Sequence, residues 1–244
     1  MARTMLHSME SGSDPTSMNR EMNKYNLNLV LAYGLYRNLT LIVKQPMVHK
    51  KMLMNGETTK NTGLGELTFR TKYGIYRRNT PEYNIGIAAI AGLKFPTGAY
   101  TFSSKTWDIK SGLYLSLRAS HLASDFNIGY SYNGSAKKTD GTIDFGDEFE
   151  LDWALAYQFV ISDDAETVVA PVLEFSYKYI AKDQMDGADL PDSGESVLYL
   201  SPGVKLTKSA VKFEILFQIP IWQIQKGSQL QRNTGVIAGI RYLF

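Results

Sequence analysis

The sequence of 244 residues has no cysteine and no long apolar run. A transmembrane helix needs about 18 or more apolar residues, so no membrane-crossing helix is predicted. The absence of cysteine is consistent with assembly through the bacterial periplasm. A formal net charge of +2 does not indicate a nucleic-acid-binding surface, and no nucleic-acid partner is predicted. Segment 1–7 lacks the apolar core of a signal peptide, so we expect a mature or trimmed form from which that peptide was removed.

What the sequence does contain is a repeated two-residue period, together with an aromatic content of 12%. In segment 24–35, one side carries Tyr25, Leu27, Leu29, Leu31, Tyr33 and Leu35. The other side carries Asn26, Asn28, Val30, Ala32 and Gly34. The same alternation recurs in segments 66–75, 107–117, 149–161, 173–179 and 211–222. Alternation of this kind predicts β-strands rather than helices.

The length of these segments favours a membrane β-barrel over a soluble β-domain. Apart from segment 173–179, they run for about 10–14 residues, whereas strands of soluble domains average about 5–6. Apolar and aromatic residues on one side, with polar residues on the other, are typical of strands that face lipid and a lumen. The sequence therefore predicts an all-β fold, an antiparallel transmembrane β-barrel in the bacterial outer membrane, with membrane lipid around it.

Charged residues within these segments fall on the same side as glycine and serine. A charge on the lipid face costs about 2–4 kcal/mol at mid-depth, so this side is predicted to face the lumen. In segment 211–222, Trp222 is expected on the same side as Lys212 and Glu214. By this parity the predicted lumen-lining residues are Lys44, Glu66, Arg70, Lys72, Lys94, Tyr114, Arg118, Glu150, Asp152, Glu174, Lys178, Lys212, Glu214 and Arg241.

The connections between the segments alternate in length. Short ones are expected at 37–38, 77–81, 120–124, 162–165 and 207–209, and long polar ones at 10–21, 46–61, 96–106, 133–142, 181–195 and 223–233. Outer-membrane barrels have short periplasmic turns and longer external loops. The pattern predicts twelve strands in one domain spanning 1–244, with a short first strand at 3–9. Pro220 is expected to cause a bulge or to end the pairing of the outer part of its strand, because proline cannot donate a ladder hydrogen bond.

The C-terminal segment alternates to the last residue. Tyr242 and Phe244 share one face with Ile240, Ala238 and Val236. A closing strand that ends on phenylalanine looks like the insertion signal of outer-membrane barrels. We therefore expect the barrel-assembly machinery to be a partner of this chain.

Catalytic and metal motifs are not found in the sequence. The three histidines, His7, His49 and His121, lie apart, and no nucleophile elbow, His-Glu-x-x-His pair or phosphate loop is present. The acidic segment 183–192 lacks the ligand order of an EF-hand, so it is expected to be a solvated loop. No enzyme activity, cofactor or metal site is predicted.

Three stretches resemble an outer-membrane transporter family named for the meta-pathway of phenol degradation, a relative of fatty-acid channels. They are Ala-Tyr-Gly-Leu at 32–35 with Asn-Leu-Thr-Leu at 38–41, Gly-Leu-Gly-Glu-Leu at 63–67, and Gly-Leu-Lys-Phe-Pro-Thr-Gly at 92–98. In the second stretch, Glu66 replaces the aspartate usual in the family. The resemblance implies a channel-like barrel for small, often hydrophobic compounds.

Two functions follow from the predicted lumen. In the first, a narrow mixed-charge lumen passes small solutes, including hydrophobic or aromatic ones. Arg70, Lys72, Lys94 and Arg118 would then bias it towards anions, unless each is paired with Glu66, Glu150 or Asp152. In the alternative, the barrel is a non-conducting structural module or a sleeve for another protein, with its charges paired.

Overall fold

The structure is a computed structural model that describes residues 2–13, 20–162 and 167–243, with backbone only for 2–13. Among these residues, no helix is long and apolar enough to cross a membrane. A short 3-10 helix, Tyr100–Phe102, lies in one loop. The strands are β1 Ala2–Ser13, β2 Arg20–Tyr36, β3 Leu39–Met54, β4 Glu57–Leu64, β5 Thr68–Asn79, β6 Tyr83–Lys94, β7 Asp108–Ala119, β8 Leu122–Tyr132, β9 Ser135–Lys138, β10 Gly141–Asp144, β11 Glu148–Tyr157, β12 Phe159–Val160, β13 Thr167–Ile180, β14 Gln184–Met185, β15 Ala188–Asp189, β16 Glu195–Lys208, β17 Val211–Gln225, β18 Gln231–Arg232 and β19 Gly235–Leu243.

The long strands form a closed antiparallel sheet. Its order is β1, β2, β3, β5, β6, β7, β8, β11, β13, β16, β17 and β19, and β19 pairs again with β1. Closure of the sheet satisfies the backbone hydrogen bonds of both edges, as a membrane barrel requires. The strand β1 is longer than the predicted 3–9. The total number of strands in the chain stays a prediction, because segments 14–19 and 163–166 lie outside the described residues.

The two faces of this sheet differ as the period predicts. Along β2, Leu27, Leu29 and Leu31 are exposed, whereas Asn28 between them is buried. Directly paired residues of neighbouring strands share a face, so this difference extends around the ring. We call the exposed side, with its large apolar residues, the apolar face, and the other side the charged face.

A bulge near Pro220 changes the side of the sheet on which Trp222 lies. Tyr199 pairs with Pro220, but Leu198 pairs with Trp222, so one extra residue is inserted in β17. The insertion reverses the side on which the following residues point. Trp222 therefore lies on the apolar face, 45% exposed, with its ring centroid 6.4 Å from that of Tyr177. The expectation that it shares a side with Lys212 was wrong.

Connections at one end of the barrel are tight turns, such as Arg37–Asn38, Ser120–His121 and Ser209–Ala210. Several predicted long loops at the other end contain strands instead. Segment 46–61 is mostly the hairpin of β3 and β4, which extends past the pairing of β3 with β5. Segments 133–142 and 181–195 contribute β9, β10, β14 and β15, which pair as a separate four-stranded sheet.

Two Xaa-Gly turns explain these extra hairpins. Asn55 and Gly56 have φ values of 52° and 86°, and Asp186 and Gly187 have 50° and 83°. Positive φ at both central residues is the type I′ geometry that matches the twist of two-residue hairpins. The polar composition of these segments indicated loops, but their turn residues specify hairpins.

Candidate functional site

The charged face carries the predicted lumen residues on many different strands. Lys72 of β5 lies in one continuous register row with Glu150 of β11 and Lys178 of β13, through Ile90, Gly112 and Gly129. The row means that these three side chains point to the same side of the sheet. Opposite charges thus share the charged face on different parts of the ring.

One half of the ring holds alternating carboxylates and lysines. Lys178 Nζ lies 3.2 Å from Glu148 and 3.6 Å from Glu150. On the neighbouring strands, Lys205 Nζ lies 3.5 Å from Glu174 and 2.8 Å from Glu214. Each lysine therefore bridges two carboxylates, which lowers the cost of removing these charges from water.

Asp125 of β8 is the centre of a second cluster. Arg118 Nη2 donates to both of its carboxylate oxygens at 2.8 Å, and the Tyr114 hydroxyl donates at 2.6 Å. Lys72 Nζ lies 3.7 Å from the centroid of the Tyr114 ring, within the range of a cation–π interaction. The cluster fixes the orientation of Arg118 and Lys72 on the charged face.

Asp125 was not among the predicted lumen residues. The connections expected at 120–124 and 133–142 leave a strand between them, but Asp125 was not assigned to its lumen side. The signal was present in the small and polar alternate residues of this strand, Ala123, Asp125, Asn127, Gly129 and Ser131. Asp152, which was predicted, accepts hydrogen bonds from Asn127 Nδ2 at 3.1 Å and from Ser176 Oγ at 2.5 Å. Its partners are therefore neutral.

Three cations of β3, β5 and β7 are different, because none of them forms an ion pair with a described residue. Lys44 forms no ion pair with any described residue. Lys110 Nζ donates to Ser131 Oγ at 2.7 Å. Arg70 Nε is buried and has no hydrogen-bond partner among the described residues. We call Lys44, Arg70 and Lys110 the basic wall.

Glycine at position 92 makes room for one of these side chains. Gly92 lies between Arg70 and Lys110 in a single register row. A Cβ atom built on Gly92 would lie 2.8 Å from Arg70 Cγ, so the arginine crosses the space that a larger residue would fill. This glycine opens the Gly-Leu-Lys-Phe-Pro-Thr-Gly stretch, which gives that stretch a packing role.

Glu66 and Lys94 do not stand free on the wall but hold an external loop. Lys94 Nζ lies 2.6 Å from Glu66 Oε2 and also pairs with Asp108. Ser103 Oγ donates to Glu66 at 2.6 Å, and Ser104 Oγ at 3.1 Å. Both carboxylates are buried. These contacts tie the loop between β6 and β7 to the top of the barrel.

The second and third family-like stretches meet at this anchor. The backbone N–H of Leu67 donates to Thr97 Oγ1 at 3.0 Å, and that of Phe95 donates to the Leu67 carbonyl at 2.8 Å. A Cβ on Gly98 would lie 3.1 Å from Glu66 Cγ. The two stretches are far apart in sequence but form one packed unit, which we call the loop anchor.

Two cavities lie on the charged face near the tight turns. The larger, about 630 Å³, is lined by four cations, Arg37, Lys72, Arg77 and Arg118, with no described carboxylate in its lining. The smaller, about 180 Å³, contains Arg118 and Asp125 with Lys205, Lys212, Glu214 and Arg241. Arg118 is shared by both cavities. The turn end of the barrel is therefore strongly basic on one side and mixed on the other.

Acidic side chains of segment 183–192 accept hydrogen bonds from backbone N–H groups. Asp183 accepts from Gly146 N at 2.8 Å, Asp186 from Thr142 N at 2.9 Å and Asp192 from Ser228 N at 2.7 Å. Each contact joins two external segments. Within the described residues, no group of three or more potential ligands is placed to hold a metal ion.

At the C-terminus, Tyr242 lies on the apolar face, about half exposed, and pairs with Val211. Phe244, the other residue of the predicted insertion signal, lies outside the described residues.

Comparison with known proteins gives a family and a fold. The family model described as "Putative MetA-pathway of phenol degradation" matches residues 21–218. An outer membrane channel from Pseudomonas putida is similar over 100% of this chain and 94% of its own, with a TM-score of 0.74 and 14% identity. The NanC porin gives a TM-score of 0.55 at 12% identity over 99% of this chain and 100% of its own. No curated protein sequence matches the chain significantly.

A third similar structure is the KdgM porin in complex with disordered oligogalacturonate. It gives a TM-score of 0.52 at 11% identity over 100% of this chain and 99% of its own. At these identities the likeness is one of fold. The fold is that of bacterial outer-membrane β-barrels, as the alternation predicts, and the chain is located in that membrane.

Proposed function

Because the chain belongs to the family of the MetA pathway of phenol degradation, we propose that it is a non-enzymatic channel that passes small solutes across the outer membrane. Its route is a narrow lumen enclosed by the charged face and lined by the predicted residues from Lys44 to Arg241. The solutes in this proposal include hydrophobic and aromatic compounds. The ring of described strands supports the further proposal that 1–244 is a single barrel domain.

The observation that carries this proposal is the basic wall. A sealed barrel filled by its own side chains is expected to pair its buried charges, since an unpaired buried charge is costly. Lys44 and Arg70 have no carboxylate partner, and Arg70 Nε has no hydrogen-bond partner, among the described residues. Cations in such a position are stable when water or a passing solute solvates them. A cavity of about 230 Å³ borders Lys110, and a larger one borders Lys72, the next residue of β5 on the same side as Arg70.

The arrangement also makes the charge of the lumen asymmetric, with cations on one side and carboxylates on the other. Lys44, Arg70 and Lys110 lie on β3, β5 and β7, whereas the lysine-bridged carboxylates lie on β11, β13 and β17. A small solute with an anionic group and an apolar body would orient its charge towards the basic wall. We therefore propose a preference for anions over cations of the same size.

Planar bilayer recording of the purified protein tests this function. We expect small single-channel conductance and a reversal potential in a salt gradient that indicates anion preference. Replacing Arg70 and Lys110 by glutamine should move the reversal potential towards that of an unselective pore. The matched control is Lys137→Gln with Lys138→Gln, the same change of charge in the exposed strand β9. A protein that never conducts would favour the sleeve function instead.

A further inference from the structure

Two lysines face each other across the external hairpin of β3 and β4. Lys51 pairs directly with Lys60, and both side chains are exposed. Directly opposed residues share a face, with Cβ atoms about 5 Å apart, and like charges in this position are destabilising. Within the described part of the chain, neither lysine has an ion-pair partner. The hairpin therefore maintains an uncompensated pair of positive charges.

The rows below the lysine pair show which face it occupies. One row consists of Leu27, Met47 and Leu64, all about half exposed, on the apolar face. The next row towards the hairpin tip consists of Tyr25, His49 and Thr62. The row after that contains Lys51 and Lys60. The lysine pair thus continues the lipid-facing surface rather than the lumen.

The row of Tyr25, His49 and Thr62, between the apolar row and the lysine pair, is held together by side-chain contacts. The ring centroids of Tyr25 and His49 lie 6.0 Å apart. His49 Nδ1 lies 2.6 Å from Thr62 Oγ1 in a hydrogen bond. An aromatic and polar row directly above an apolar row is the composition of a membrane–water interface.

The depth of the pair follows from strand β2. On its apolar face, Tyr33 and Tyr25 flank Leu27, Leu29 and Leu31. The eight-residue step between the tyrosines is about 26 Å along the strand, or about 20 Å along the normal at a tilt of about 40°. This height is close to the apolar band of about 25 Å in such barrels. Lys51 and Lys60 lie one row farther out, at the level of the external lipid headgroups.

We propose that Lys51 and Lys60 bind the phosphate groups of lipid A, the phosphorylated glycolipid of the external leaflet. A phosphate group placed between the two ammonium groups would compensate their mutual repulsion and accept charge-assisted hydrogen bonds from both. The acyl chains of the same molecule would lie against Leu27, Met47 and Leu64. This apolar surface directly below the lysines is the reason to assign a lipid rather than free phosphate.

Titration of the intact protein in detergent with bisphosphorylated lipid A tests the assignment. Native mass spectrometry would report the bound fraction for the wild type and for Lys51→Gln with Lys60→Gln. We expect roughly 25-fold weaker binding in the double variant, since each lysine at an anionic lipid surface contributes about five-fold. Lys51→Arg with Lys60→Arg should retain binding. The control is Lys137→Gln with Lys138→Gln, which removes the same charge from another external strand and should bind like the wild type.

Thermal unfolding provides a second measurement. The difference in unfolding temperature between the wild type and the glutamine pair should change sign when lipid A is added. In detergent without lipid A, the glutamine pair should unfold at the same or a higher temperature than the wild type, because the repulsion is gone. With lipid A, the wild type should be the more stable protein. Heat-dependent mobility in gels would confirm that each variant is folded.

Three results would overturn the assignment. One is equal affinity of the wild type and the glutamine pair for lipid A. Another is equal binding of lipid A and its dephosphorylated form. The third is displacement of lipid A by an equal concentration of inorganic phosphate, which would show a free-phosphate site instead.

Discussion

Gly92 and Arg70 lie side by side on neighbouring strands, and the glycine leaves the space through which the arginine side chain passes. The relation joins a residue of a family-like stretch to a cation of the basic wall. Gly92 therefore affects the charge of the lumen, because it allows the Arg70 side chain to occupy this position.

Replacing Gly92 by alanine is expected to displace Arg70. The added Cβ would lie 2.8 Å from Arg70 Cγ and 2.8 Å from the Phe69 carbonyl oxygen. We expect the free energy of unfolding to fall by about 1–3 kcal/mol, the range for inserting a methyl group into a filled site. Urea unfolding in detergent would measure it. Gly34→Ala is the control, because nothing lies within 4 Å of a Cβ there.

Replacing Asp125 by asparagine is expected to change both stability and selectivity. Arg118 would lose its two charged hydrogen bonds, a loss of about 1–3 kcal/mol in the free energy of unfolding. The cavities that share Arg118 would also become more positive, so anion preference in bilayer recordings should increase. Asp140→Asn, in an exposed turn, removes the same charge and should change neither quantity. An unchanged reversal potential in Asp125→Asn would contradict the prediction.

Replacing Glu66 by glutamine is expected to loosen the loop between β6 and β7. Lys94 would retain Asp108, but Ser103 and Ser104 would lose their charged acceptor. Limited trypsin digestion should therefore cut after the exposed Lys105 several-fold faster, as local opening becomes more frequent. The matched change Glu57→Gln, in the external hairpin, should leave this rate unaltered.

Replacing Lys205 by methionine is expected to leave Glu174 and Glu214 facing each other without their shared cation. These side chains are only partly buried, so the expected loss of unfolding free energy is about 1–2 kcal/mol, less than for a fully buried pair. Chemical unfolding of the variant would measure the loss. Lys208→Met on the same strand is exposed and should be close to neutral; an equal loss there would argue against a specific bridge.

The class of fold could be predicted because lipid imposes a strict two-residue period on every strand. The faces of β2, β5 and β11 follow from it. The bulge expected at Pro220 is present, but the side predicted for Trp222 was wrong, because the extra residue moves Trp222 to the apolar face. Prediction also failed at Asn55 and Gly56, whose hairpin turn was hidden in a polar segment.

The site was harder to predict than the fold, since parity gives a side of the sheet but not a partner. Lys94 and Arg118 look equivalent in sequence, yet one holds the loop anchor with Glu66 and the other binds Asp125. Partners on distant strands depend on register, which one sequence does not specify. Asp125 itself was not predicted, although its strand was implied by the connections at 120–124 and 133–142 and its alternation resembles that of the other strands.

The separate sheet of β9, β10, β14 and β15 couples two external segments mechanically. Ile143 pairs with Met185 and Asp144 with Gln184, so strands from two different connections share backbone hydrogen bonds. A displacement of either connection must carry the other with it. The external segments 133–144 and 184–189 therefore form one unit, distinct from the loop anchor at Glu66.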